Sequence, residues 1–74
     1  MLSSYDLFRR KRESDVCCAV RQDKPVPLFV QGKEWGFGGT VVDDGAKKPA
    51  GFQTSAAREA TQLAGFHIFQ LTTA

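Results

Sequence analysis

The stretch FQTSAAREATQLAGFHIFQLT, Phe52 to Thr72, decides the fold class. It spells one short amphipathic helix, ended by a glycine and followed at once by an aromatic strand. The helix is expected to start at Thr54 or Ser55, either of which can accept a bond from an orphan N–H of the first turn. Ala56, Ala60, Leu63 and Ala64 recur at i, i+4, i+7 and i+8 and predict a single apolar stripe. That stripe is mostly alanine, so the helix can lie close to a sheet. Gly65 suits a left-handed C′ position, with Phe66 as the hydrophobe after it. Along the last strand Phe66, Ile68 and Gln70 point one way, and His67, Phe69 and Leu71 the other. Bulk on both faces predicts an interior strand, or a face covered by a partner.

Everything upstream reads as strand. Tyr5-Asp6-Leu7-Phe8, extended by the arginines after it, and Val16-Cys17-Cys18-Ala19-Val20 flank a polar link and predict a β-hairpin. The segment Asp23-Lys24-Pro25-Val26-Pro27 breaks the ladder, because proline has no N–H and pushes the preceding residue to extended geometry. Leu28-Phe29-Val30 is expected as a third strand, Gln31-Gly32-Lys33 as a tight turn, and Trp35 to about Val42 as a fourth strand. Trp35 and Phe37 share one face of that strand by alternation. Glycines at 36, 38 and 39 inside a strand need a reason, and a β-bulge is the usual one. The stretch Gly36-Phe37-Gly38-Gly39-Thr40 lacks the Lys-Ser/Thr and following helix of a phosphate-binding loop. Residues 43–51 form a loop by composition, expected to be the most mobile part.

The expected architecture is therefore α+β in two layers: an antiparallel sheet of four or five strands with one helix on one face, in the order β-β-β-β-α-β. Seventy-four residues make a single domain, 1–74. A chain of this size buries only roughly 60% of its unfolded surface, so its stability should be marginal. Two adjacent cysteines provide no disulfide framework. Six Phe, one Trp and one Tyr are many rings for one thin sheet and one alanine-lined helix. Rings on the far face are expected to stay exposed unless another chain covers them, and exposed apolar patches mark interaction surfaces.

The formal charge of +2 is mild, but Arg9, Arg10, Lys11 and Arg12 are four consecutive cations. Clustered cations beside exposed rings could bind phosphates and stack on unpaired bases. If the run continues a strand, two cations face each side, and one pair must avoid the core. Cys17 and Cys18 should point to opposite faces, one into the core and one outward, so they share no metal. His67 sits beside aromatic residues, where a structural role is expected, with one ring nitrogen bonded to backbone. Asp43 and Asp44 lie in the loop. No Ser-His-Asp arrangement or carboxylate pair of defined geometry stands out.

The sequence thus predicts a non-enzymatic protein-interaction module, a regulator or inhibitor of a larger assembly, with Arg9, Arg10, Arg12, Trp35 and Phe37 as partner-binding residues. The partner is another protein or a second copy in a homodimer. The alternative is an RNA- or single-strand-binding protein using residues 9–12 and the aromatics. No catalytic residue, metal ligand or cofactor is expected. Neither a membrane span nor a secretory leader is apparent, and the expected location is cytoplasmic.

Overall fold

A computed structural model describes residues 3–42 and 48–72. The expected loop motion and the aspartates at 43 and 44 fall largely or wholly outside the described residues. The fold is α+β: four antiparallel strands with one helix. The strands are β1 (Ser4–Arg10), β2 (Val16–Arg21), β3 (Trp35–Val42) and β4 (His67–Gln70), and α1 spans Thr54–Ala64. Their order across the sheet is β3-β1-β2-β4.

β1 and β2 form the expected hairpin, closed by Glu13 N–H to Arg10 O (3.2 Å) and Val16 N–H to Glu13 O (2.8 Å). β3 adds to the free edge of β1, and Lys11 N–H donates to Glu34 O (2.7 Å) one step beyond the strand end. A register shift between Leu7 and Phe8 leaves Gly38 as the extra residue of a bulge. The neighbouring Gly39 takes φ +119°, a conformation that favours glycine.

β4 lies at an edge of the sheet, not in its interior. Its two-sided bulk has another cause: both faces of the sheet are covered. On one face α1 packs over β2 and β4. The core there contains Tyr5, Leu7, Cys17, Ala19, Val41, Phe52, Ala57 and Phe69. Phe52 meets Tyr5 and Phe69 edge-on at 5.6 and 5.4 Å. On the other face Cys18, Val20 and Val30 form a second cluster, with Phe8, Val26, Trp35 and Phe66 against it.

That second cover comes from the segment expected as the third strand. Leu28–Gln31 is instead a 3-10 turn. Pro27 holds φ −60° before it, and Val30 N–H donates to Pro27 O (3.1 Å). An apolar run of three residues carries no period long enough to separate a strand from a turn. Here it folds inward to bury Val30.

The helix is rotated from its expected face. Ala57 and Thr61 are the buried residues, Ala56 and Ala60 flank them, and Leu63 is 80% exposed. Thr61 reads as polar in sequence, yet its hydroxyl donates to Ala57 O (2.8 Å) within the helix, so it is buried with its polar group satisfied. Gln53 is the N-cap and makes no side-chain cap bond. The Thr54 hydroxyl instead accepts from Lys48 Nζ (2.7 Å). Gly65 ends the helix at φ +88°, its N–H bonded to Thr61 O (3.0 Å).

Candidate interaction surface and an adjoining cleft

β3 runs along one edge of the sheet, and its other flank pairs with no described strand. It is eight residues long and contains neither a charge nor a proline. Sheets usually guard such an edge with lysine, proline or a very short strand. The opposite edge, β4, has only four residues. β3 carries one guarding device, the bulge at Gly38.

The β3 positions that face away from the helix carry the rings. Phe37 pairs with Phe8 across β1, their ring centres 5.9 Å apart and edge-on, and 66% of Phe37 remains exposed. Trp35 is half-buried in the second cluster and meets Phe29 at 6.0 Å, and Phe29 meets Phe66 at 5.0 Å. Phe29, Leu28 and Ile68 are exposed, as is Val42 at the end of β3. The far face therefore has a covered centre and an apolar rim. Trp35 contributes to that centre, and Phe37 to the rim.

The four-cation run is split by the pleat. Arg10 is the cross-strand partner of Trp35, on the aromatic side, and forms an exposed ion pair with Glu13 (3.4 Å). Arg12 lies exposed in the hairpin turn. Arg9 falls on the helix side, opposite Cys17 and Gly36. The glycines let the cations on this side avoid the core. A Cβ at Gly38 would sit 3.1 Å from Cγ of Arg9, and one at Gly36 would sit 3.6 Å from Cε of Lys11. The stems lie where β3 side chains would otherwise stand.

α1 covers the β2–β4 half of its face, whereas the β1–β3 half, with Tyr5, Leu7 and Val41 buried, lies beside the helix rather than beneath it. A cleft of about 350 Å³ lies there, lined by Leu7, Val41 and Leu71, with Cys17, Arg9 and Lys48 around it. Sequence reading flagged the glycines of β3 but not this cleft, since Lys48 and Leu71 reach it from distant parts of the chain.

Both cysteines are buried, Cys17 on the helix side and Cys18 on the other. They take opposite faces as expected, but neither faces out, because both faces are covered. Burial raises the Cys17 thiol above its ordinary range, opposed by the Arg9 guanidinium beside it. Burial, then the neighbouring Cys17, pushes Cys18 up to about 11. His67 stacks on Phe69 with ring centres 5.7 Å apart and planes 13° from parallel, and burial lowers its pKa. Among the described residues no group of three His, Cys, Asp or Glu side chains is placed to hold a metal ion, and no helix is long and apolar enough to cross a membrane.

No family model, curated protein or solved structure matches this chain.

Proposed function

We propose that this protein is a small non-enzymatic interaction module that docks another polypeptide along β3 and the rim around Phe37. The observation carrying this reading is a long, uncharged edge strand on which the Phe37 ring is two-thirds exposed. Unpaired N–H and C=O groups on such an edge offer a template for a further strand. Phe37, Thr40 and Val42 lie on one side of that edge strand. A second copy is the simplest occupant. β3 pairing with its own symmetry mate sets no like charges opposite one another and extends the sheet.

Sedimentation equilibrium tests this directly, with Phe37→Lys placing a guarding charge on the edge. Wild type should form dimers that weaken at least tenfold in the variant. A wild type that stays monomeric, or a dimer indifferent to the lysine, removes the self-pairing reading.

A second reading, binding of single-stranded nucleic acid, is favoured by Arg10 lying opposite Trp35 on the same side as Phe37. It is weakened by the diversion of Arg9 to the other face. Affinity for a short RNA should fall steeply with salt if this reading holds. Binding that is absent at low salt, or unaffected by added salt, removes it.

A further inference from the structure

The cleft on the β1–β3 half of the helix-side face has the make-up of a ligand site. Its floor is apolar: Leu7 and Val41 are buried, and Leu71 packs against the same cluster. Its charged lining residues among those described are Arg9 and Lys48, both cations. They come from separate parts of the chain, β1 and the segment before α1.

Each cation has donors to spare. Lys48 gives one of its three N–H groups to Thr54 Oγ1 (2.7 Å). Arg9 is the cross-strand partner of Cys17, and its guanidinium carries five N–H groups. The Thr54 contact holds Lys48 at the cleft, and both cations keep donors for a ligand.

The glycines explain why the space is open. Gly39 is the cross-strand partner of Leu7, which is buried on the helix side. A Cβ there would meet nothing within 4 Å, and Gly39 lines the cleft. A larger residue would stand over the leucine floor. A volume of about 350 Å³ lies at the lower end of the range for small-molecule sites, which combine apolar walls with a few placed polar groups. A planar fork such as that of Arg9 suits carboxylate and phosphate oxygens.

We propose that this cleft binds a small organic anion, its carboxylate or phosphate met by Arg9 and Lys48 and its apolar body lying on Leu7, Val41 and Leu71. The ligand class follows from two cations over an apolar floor. The site borders β3 on its helix side, the face opposite the Phe37 rim.

Two-dimensional amide NMR at fixed protein concentration provides the test, with phenyl phosphate and benzoate as anionic probes and benzyl alcohol as the neutral one. The anionic probes should cause saturable shifts at Gly38 to Val41, Lys48 and Leu71. Benzyl alcohol should bind at least tenfold more weakly. Arg9→Gln/Lys48→Gln should lose at least tenfold in affinity for the anions while keeping a dispersed spectrum. Should that variant fail to fold, the comparison of anionic with neutral probes on wild type decides alone. Equal affinity for charged and neutral probes overturns the proposal. So do affinity unchanged in the folded variant, shifts centred on Trp35, Phe37 and Ile68, and no saturable shift at all.

Discussion

The carbonyl oxygen of Gln70 occupies the space that a side chain at Gly51 would need. This contact docks the 50–52 segment onto the end of β4, where Thr72 N–H also donates to Ala50 O (3.0 Å). It sets Phe52 into the core between Tyr5 and Phe69. Gly51 itself takes φ +100°, so backbone freedom and close approach both demand glycine there.

Gly65 shares the positive φ but has open space around its missing side chain. Gly65→Ala should therefore cost only the left-handed backbone term, roughly 1–2 kcal/mol. Gly51→Ala adds a collision with backbone and should be clearly the worse of the two. Urea titrations of the pair check the order, and equal losses would refute the docking contact.

Helix orientation has its own test. Phe52→Ala removes a buried ring and should cost about 3–5 kcal/mol, enough to unfold a domain this small. Leu63→Ala changes an exposed position and should stay within roughly 0.5 kcal/mol of wild type. A large loss at Leu63 would restore the apolar stripe expected from the sequence.

Alkaline conditions should weaken the fold through Cys18. Its folded-state pKa is about 11, against an ordinary 9.0, so the unfolded chain loses this proton first. The stabilisation is intact below pH 9 and disappears as pH rises from 9 to 11, by on the order of 2 kcal/mol. Stability curves for wild type and Cys18→Ala should converge over that window. Parallel curves would show that the thiol titrates normally.

Acid acts through His67 with the opposite slope. Burial holds its folded pKa below the ordinary 6.5, so the unfolded chain takes up a proton first as pH falls. The contribution is complete above pH 6.5 and shrinks below it. An NMR titration of the His67 ring in the folded protein should give a midpoint under 6.5. A midpoint at or above that value contradicts the stacked, half-buried placement.

Local signals were legible and packing partners were not. Gly65 marks the helix end because a C′ glycine acts on the last turn alone. The hairpin was readable from two apolar runs and a polar link, and the bulge from three glycines in one strand. Leu28-Phe29-Val30 misled because a run of three residues fits a strand or a turn equally. Thr61 misled because its hydroxyl is satisfied by its own helix, which hides a buried position behind a polar letter. Of the proposed partner-binding residues, Phe37 lies exposed beside β3's open edge, Trp35 packs largely inward, and alternation sends Arg9 to the face opposite Arg10.

The chain's own letters determined the α+β class, the antiparallel hairpin, the glycine end of the helix and the shared side of Trp35 and Phe37. Each depends on neighbours a few residues apart. Only the tertiary structure decided that β3 and β4 are the edges, that Val26 and Val30 cover the second face, and that a cation-lined cleft opens beside the helix. Those outcomes depend on which distant surfaces meet, and periodicity along one segment carries no record of what packs against it.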